Sequence, residues 1–205
     1  MGLYARYVLP RLIDRAMSNR ISAAERARLV PTATGVVLEV GAGSALNVPH
    51  YGAAVQRLYA LDPSTAVWRL GRERVRRAPF PVEFLEASAE RVPLDAGSVD
   101  TVVSTWTLCS IPDAAAALAE LRRVLRPGGA FLFVEHGRSP DPRVQVWQRR
   151  LDPLWARVAG GCHVDRPIDR LIAGTGFDIA ALERGYSAGP RPFSYLYRGT
   201  AHPRP

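Results

Sequence analysis

The sequence has no lysine, only two cysteines and no long uninterrupted apolar run. A membrane-spanning helix needs about 18–20 consecutive apolar residues. The apolar stretch at residues 1–17 is interrupted by three arginines and an aspartate, so it predicts neither a span nor a signal peptide. We therefore expect a cytoplasmic protein that is soluble or lies against the periphery of a membrane.

The two cysteines, Cys109 and Cys162, are too few for a disulfide framework or for a zinc site built on cysteine. A reducing compartment is consistent with this count. The sequence pattern therefore predicts no bound metal.

All 27 basic residues are arginine and they exceed the 19 acidic residues, which gives a net charge of +8. Such a charge can indicate a nucleic acid or a phospholipid surface as partner. It can also reflect a coding bias toward arginine, and the densest run, at residues 72–77, falls on a predicted helix where it would form a solvated face. We favour the coding bias and expect no specific nucleic-acid partner, while contact with an anionic membrane stays open.

From residue 36 the sequence alternates between short β-branched runs and helical segments. Such alternation predicts a doubly wound, Rossmann-like α/β fold with a mostly parallel seven-stranded sheet, which ends here in a C-terminal antiparallel hairpin. Residues 1–34 form a predicted N-terminal helical cap, and residues 35–205 form the main domain. The predicted strands are 36–40, 57–62, 81–87, 99–105, 129–136, 177–183 and 192–201, and the predicted helices of the main domain are 45–56, 64–78, 113–125, 143–159 and 166–174.

The cap has an apolar face that includes Tyr4, Tyr7 and Leu12. This face needs a partner, and two are open: the cap closes over a ligand as a lid, or it lies on an anionic membrane with its arginines at the interface. We favour the lid. The motif from Ser22 to Glu25 is typical of a capping box and predicts the start of a second helix there.

A glycine loop follows the first strand, with Gly41 and Gly43 placed so that the backbone can approach a ligand closely. Asp62 ends the second strand, where a carboxylate can accept hydrogen bonds from both ribose hydroxyls of a nucleoside. Position 46 is leucine, so the loop departs from the dinucleotide fingerprint. Glu39 would repel a pyrophosphate and suits a cationic ligand, which favours S-adenosylmethionine over a nicotinamide dinucleotide.

Four segments then resemble, in order and spacing, the motifs of class I S-adenosylmethionine-dependent methyltransferases: residues 36–51, 59–64, 86–111 and 120–137. The resemblance is strong over residues 35–137. The segments TLCSI, LRPGGAFLFVEH and WQRRLDPLWARVAGGCHVDRP resemble the small alkyl-thiol methyltransferases, which are membrane-associated in animals. The chain resembles the ubiquinone and menaquinone C-methyltransferases less closely.

The resemblance implies S-adenosyl-L-methionine as cofactor and S-adenosyl-L-homocysteine as product. It places Asp62 at the ribose and the residues after the third strand at the adenine. Ala45 departs from the family pattern, which usually has a third glycine; we expect the methyl group to be tolerated in the first turn of a helix. The implied cofactor-binding residues are Glu39, Gly41, Ala42, Gly43, Asn47, Asp62, Pro63, Ser64, Ser88, Ala89, Glu90 and Thr105.

The acceptor is expected to be a small lipophilic molecule with one polar reacting atom, in a thiol, hydroxyl, amine or quinol-type ring carbon. His136 and His163 are the candidate catalytic residues, although methyl transfer from a sulfonium can proceed by alignment and exclusion of water. No acceptor motif of the RNA methyltransferases follows the fourth strand. A membrane-surface phospholipid or quinone methyltransferase, or a cofactor-binding module without turnover, stays an alternative. The candidate pocket residues are Tyr4, Tyr7, Trp106, Trp155 and Cys162.

Overall fold

The computed structural model describes residues 9–204, with side chains from residue 11 onward. Its strands are β1 (Gly35–Val40), β2 (Val55–Leu61), β3 (Val82–Leu85), β4 (Val99–Thr105), β5 (Leu125–His136), β6 (Phe177–Tyr186) and β7 (Tyr195–Pro203). Its α-helices are α1 (Leu9–Met17), α2 (Arg20–Leu29), α3 (Thr65–Trp68), α4 (Arg72–Arg76), α5 (Ala114–Val124), α6 (Pro142–Val158), α7 (Ile168–Gly174) and α8 (Arg191–Ser194).

The seven strands form one sheet in the order β3-β2-β1-β4-β5-β7-β6. The first five strands in this order are parallel, and β7 is antiparallel to both β5 and β6. The predicted Rossmann-like fold with a C-terminal hairpin is therefore confirmed. Because the strand order reverses beside β1, the loops after β1 and β4 meet at a topological switch point, where open α/β sheets bind ligands.

Both faces of the sheet are covered by apolar side chains. On one face α5 and α7 pack over the buried Phe131 and Phe133. On the other face the segment before β1 packs against Val37, Leu58 and Val103. Burying each such side chain stabilises the fold by about 1.5–3 kcal/mol, so the strand ends are held on a rigid frame.

The helix predicted at residues 45–56 does not form. The chain there makes turns and a short 3-10 helix, Val48–His50. Ala45, the first residue of the predicted helix, has a left-handed φ angle that a right-handed helix cannot include. The prediction that Ala45 lies in the first turn of a helix is therefore wrong. Ala45 has a φ of 59° and is buried.

Two other predictions from the sequence also differ from the structure. The helix predicted at 64–78 is divided by a 3-10 turn at Arg69–Gly71. A Cβ on Gly71 would lie 2.4 Å from the backbone oxygen of Ser44, so only glycine allows this close packing on the glycine loop. The capping box also fails, because Asn19 caps α2 with its side chain and Ser22 lies inside the helix.

None of the helices in the part of the chain described here is long and apolar enough to cross a membrane.

Candidate active site

A cavity of about 590 Å³ opens at the carboxyl ends of β1, β2, β4 and β5. Ten of the twelve residues predicted to bind the cofactor line it, and Ser64 and Glu90 do not. Side chains of α1 and of the end of α6 also border it, among them Ile13 and Val158. The cavity size falls within the range of about 300–1,000 Å³ that is typical of sites for small molecules and cofactors.

Asp62 fixes the glycine loop. The backbone N–H of Gly43 donates to Asp62 Oδ2 at 2.9 Å, and the backbone N–H of Ser64 donates to Oδ1 at 2.8 Å. Burial raises the pKa of Asp62, while these two hydrogen bonds oppose the shift. Each carboxylate oxygen can accept a second hydrogen bond, so the side chain can hold the loop and still bind a diol in the cavity.

Gly41 is required by the contact between the glycine loop and the turn after β4. Its φ is +66°, and a Cβ there would lie 2.2 Å from Thr107 Oγ1. A side chain at Gly41 would force the two loops apart. A Cβ on Gly43, at φ of +52°, would meet only ordinary contacts at 3.8 Å, so the constraint at Gly43 is one of backbone conformation.

A buried polar network surrounds Glu39 at the end of β1. Asn47 Nδ2 donates to Glu39 Oε1 at 3.0 Å and to Thr105 Oγ1 at 3.0 Å, and the Tyr51 hydroxyl donates to Glu39 Oε2 at 2.9 Å. Burial raises the pKa of Glu39 to about 7, against the effect of these donors and of nearby Arg26. A cation bound beside Glu39 would therefore stabilise the ionised form of its carboxylate.

Arg26 is a site residue that the sequence analysis missed. Its Nε donates to Asn47 Oδ1 at 2.9 Å and its Nη1 donates to the Met17 backbone oxygen at 2.8 Å. The guanidinium lies 5.0 Å from the centroid of the Trp106 ring and lines the cavity. Burial lowers the pKa of Arg26 to about 10. Arg26 is one of 27 arginines in the chain and lies on a predicted helix that carries no site motif, so nothing in the sequence distinguished it.

The adenine-end residues differ in their placement. Pro63, Ser88 and Ala89 line the cavity. The Ser64 hydroxyl instead caps α3, where it accepts a hydrogen bond from the Val67 backbone N–H at 3.4 Å. Glu90 Oε2 accepts from the Ser88 hydroxyl at 2.9 Å, and its Oε1 accepts a backbone N–H of the loop before α5 at 2.8 Å. Glu90 therefore acts as a brace behind Ser88 in this arrangement.

The predicted acceptor residues lie partly together. His136, Trp106, Trp155 and Cys162 all line the cavity. His163 does not, because its Nδ1 pairs with Asp152 Oδ2 at 2.6 Å on α6. The two remaining candidates, at positions 4 and 7, lie outside the described residues. Of the two candidate catalytic histidines, the structure thus brings only His136 to the cavity.

Buried Glu135 holds the turn that carries the acceptor-end residues after β4. The Ser104 hydroxyl and the Thr107 backbone N–H donate to Oε1 at 2.7 and 3.1 Å, and the Cys109 backbone N–H donates to Oε2 at 3.1 Å. Burial raises the pKa of Glu135 against these bonds. Trp106 in this turn has φ of 52°, a left-handed conformation in which only a well-braced loop holds a bulky residue.

The two cysteines meet behind this turn. Cys109 Sγ lies 3.5 Å from Cys162 Sγ, and Cys162 Sγ lies 3.7 Å from His136 Nδ1. Hydrogen bonding with Cys109, and then the contact with His136, lower the pKa of Cys162 to about 5. The contact with Cys162 and burial raise the pKa of Cys109. The two thiols and the ring nitrogen of His136 thus form one contiguous cluster at this end of the cavity.

Residues 38–133 match the family described as a methyltransferase domain. Thiol S-methyltransferase TMT1B of Rattus norvegicus is 32% identical over 164 residues, which cover 78% of this chain and 65% of that protein. The ubiquinone/menaquinone biosynthesis C-methyltransferase UbiE of Methylobacterium nodulans is 34% identical over 133 residues, covering 60% of this chain and 53% of that protein. Residues 38–133 therefore form a domain of the methyltransferase family, and the chain is similar to methyltransferases over most of its length.

Solved structures of methyltransferases share the fold of this chain. A Thermotoga maritima S-adenosylmethionine-dependent methyltransferase, titled a possible histamine N-methyltransferase, superposes with a TM-score of 0.68 at 18% identity and covers 98% of both chains. The chain spans less than two thirds of the length of the rat relative, at 65%.

The residues of the cavity fit S-adenosylmethionine, the cofactor of the similar Thermotoga maritima protein. Asp62 presents free acceptor positions for a ribose, and the loop from Gly41 to Gly43 carries no side chain larger than the methyl group of Ala42. At the other end Glu39 and Arg26 supply one negative and one positive group, which match the ammonium and the carboxylate of an amino acid. The donor set and the cavity size therefore both suit this cofactor.

Proposed function

We propose that this protein transfers a methyl group from S-adenosylmethionine to the sulfur of a small lipophilic thiol. The observation that carries the proposal is the acceptor end of the cavity, where the rings of Trp106 and Trp155 lie with His136 and Cys162. The apolar surface suits a lipophilic acceptor, and few polar groups remain to contact its reacting atom. The similarity to the rat thiol S-methyltransferase supports the same acceptor class.

The reaction needs alignment more than acid–base catalysis. When bound, the cofactor supplies a methyl group on a positively charged sulfur, already activated for displacement. Asp62 holds the ribose, Glu39 and Arg26 orient the amino-acid end, and Trp106 excludes water from the reacting atoms. His136 contacts the acceptor. A thiol ionises far more readily than an alcohol, so it needs less help from a base than a hydroxyl acceptor would.

The acceptor class can be tested with a matched series: an alkyl thiol, the alcohol and the amine of the same chain length, and a hydroquinone. Initial rates are measured with methyl-labelled cofactor. We expect the thiol to be methylated fastest, by at least about a hundredfold over the alcohol, because the alcohol would require a strong base. Faster methylation of the hydroquinone or the amine would contradict the proposal and favour that acceptor.

We also propose that the N-terminal segment, up to about residue 34, acts as a lid on the domain from residue 35 to 205. The Ser44 hydroxyl of the glycine loop donates to Asp14 Oδ1 on α1 at 2.5 Å. A Cβ on Gly160 would lie 3.4 Å from Ile13 Cδ1, so α1 also contacts the turn after α6. These contacts support closure of α1 over the cavity. Deletion of residues 1–18 should weaken cofactor binding, and unchanged affinity in the deletion would contradict the lid.

A peripheral membrane contact is a second candidate, favoured by exposed apolar residues on α1 and α6. Leu12 on α1 and Trp147, Leu154 and Val158 on α6 are 50%, 54%, 63% and 58% exposed. Arginines flank them, as in interfacial helices. Cosedimentation with vesicles rich in phosphatidylserine tests this contact. We expect binding that a double change, Leu154→Ser with Val158→Ser, abolishes; equal binding by the variant would contradict it.

A further inference from the structure

Three side chains that can bind a metal converge at the acceptor end of the cavity. The thiol sulfurs of Cys109 and Cys162 and a ring nitrogen of His136 all lie within 4.8 Å of one another. The two cysteines are free thiols that lie 53 positions apart in the sequence. They meet only because β5 and the turn after α6 both approach the loop that follows β4.

The distances match a tetrahedral metal better than a disulfide. The two sulfurs are 3.5 Å apart, whereas a disulfide needs about 2.05 Å. Two thiolates on one tetrahedral zinc, each bound at about 2.3 Å, lie about 3.8 Å apart, and a thiolate and an imidazole nitrogen lie about 3.5 Å apart. The observed separation of 3.7 Å between Cys162 Sγ and His136 Nδ1 is close to that value.

The position of the cluster leaves one coordination site open. Cys109 is fully buried behind the cavity wall, while Cys162 and His136 line the cavity. A metal held by these three residues would therefore direct its fourth position into the cavity. Three protein ligands, two of them cysteines and one a histidine, with an open fourth position are typical of catalytic zinc.

The backbone around the ligands is already fixed. The Cys109 N–H donates to Glu135 Oε2 at 3.1 Å, and the His163 N–H donates to the Cys109 oxygen at 2.9 Å. His136 ends β5 and is held in the sheet by its pairing with Leu196 of β7. Ligands on such braced segments keep their geometry without the metal, which favours binding.

We propose that Cys109, Cys162 and His136 bind a zinc ion whose open position takes the sulfur of the thiol acceptor. The role of the open position rests on the proposed function; the metal site itself does not. On binding, both cysteines lose their thiol protons, and the acceptor thiol loses its proton to solvent. The acceptor sulfur then forms a bond to the methyl carbon, the bond from that carbon to the sulfonium sulfur breaks, and its electron pair stays on the departing thioether.

The charge of such a site complements the cofactor. Zinc with two thiolates is neutral overall, and the acceptor thiolate brings the cluster to −1. This negative charge would face a sulfonium that carries +1, in a cavity lined by Trp106 and Trp155, where charges interact more strongly than in water. The metal also replaces a general base, since it makes the thiol acidic at neutral pH.

The test is metal binding to the reduced full-length chain after removal of metals with a chelator. Zinc is titrated against a chromophoric chelator, and cobalt(II) is titrated while thiolate-to-cobalt absorption is followed. We expect one metal per chain and a cobalt spectrum with two thiolates. Cys109→Ser and Cys162→Ser should each weaken zinc binding by more than about a hundredfold. His163→Ala, the matched control outside the cavity, should bind zinc like the unchanged protein.

Addition of an alkyl thiol to the cobalt protein should change its spectrum, as expected for a ligand at the open position. Absence of stoichiometric metal binding would overturn the proposal. It would also be overturned if His163→Ala lost zinc binding while both cysteine variants kept it. Oxidation of both cysteines to a disulfide in the protein as isolated under reducing conditions would also overturn it. If metal-free protein methylates thiols at the full rate, the proposed role of the open position fails while the proposed function stands. If the metal binds but thiols are not methylated, the proposed function fails while the metal site stands.

Discussion

The change Asp62→Ala should weaken cofactor binding, by an amount that follows from the hydrogen bonds of the Asp62 carboxylate. The carboxylate is expected to accept two hydrogen bonds from the ribose while it also holds the N–H groups of Gly43 and Ser64. Hydrogen bonds to a charged acceptor contribute about 1.5–3 kcal/mol each. Loss of two such bonds would make the free energy of cofactor binding less favourable by about 3–6 kcal/mol. Water that enters the space left by the side chain would offset part of this loss. We expect cofactor affinity to fall by at least about a hundredfold.

Isothermal titration with S-adenosylhomocysteine measures this loss. Glu90→Ala is a matched control, because Glu90 is a carboxylate near Ser88 that lies off the cavity wall. Its affinity should stay within about twofold of the unchanged protein. Thermal unfolding of both variants separates a local effect from a loss of folded protein. If folded Asp62→Ala binds as tightly as the unchanged protein, the ribose does not lie on Asp62 and the assignment of the cavity is wrong.

Four further predictions concern the rest of the site and the charge of the chain. Because the pKa of Glu39 is raised to about 7, the carboxyl is neutral below that pH, so cofactor affinity should rise as pH increases through 7; Glu39→Gln should remove this dependence in calorimetric titrations. Gly41→Ala should lower the free energy of unfolding by more than the roughly 1–2 kcal/mol typical of a left-handed alanine, because its Cβ also collides with Thr107 in the next loop. Gly43→Ala should lower the free energy of unfolding by only about that typical amount. Equal losses for the two variants in urea unfolding would contradict the steric argument. His136→Ala should reduce thiol methylation by about tenfold or more and leave cofactor affinity intact, whereas His163→Ala should retain its rate; the reverse order in steady-state assays would move the acceptor site. Binding to DNA or RNA should be weak and disappear between low and physiological salt, so a sequence-selective complex at physiological salt would refute the expected lack of a nucleic-acid partner.

The architecture could be predicted because its signals are local in sequence. The β-branched run at residues 36–40, bounded by Gly35 and Gly41, indicated the first strand, and the alternation that follows it indicated the others. Asp62 at the end of β2 indicated the nucleoside site. The helix predicted at 45–56 failed because apolar spacing does not reveal a left-handed Ala45. Ala45 also packs against Gly71, which is distant in the sequence: a Cβ on Gly71 would lie 2.7 Å from the Cβ of Ala45.

Other parts of the site depend on contacts between distant segments. Cys109 and Cys162 are each a single cysteine in the sequence, and only the fold places their sulfurs 3.5 Å apart. Arg26 reaches Asn47 across the cavity from a helix that carries no site motif. His163 satisfied the same residue-type criteria as His136, yet its pairing with Asp152 directs it away from the cavity. Sequence patterns predict the frame, whereas three-dimensional packing selects which of the candidate side chains meet.

The decisive measurement is a crystal structure with both S-adenosylhomocysteine and an alkyl thiol bound. We expect the ribose on Asp62, the amino-acid end between Glu39 and Arg26, and the thiol sulfur facing the thioether sulfur beside Trp106 and His136. A thiol bound elsewhere, or a nucleoside that leaves Asp62 without a contact, would contradict this expectation.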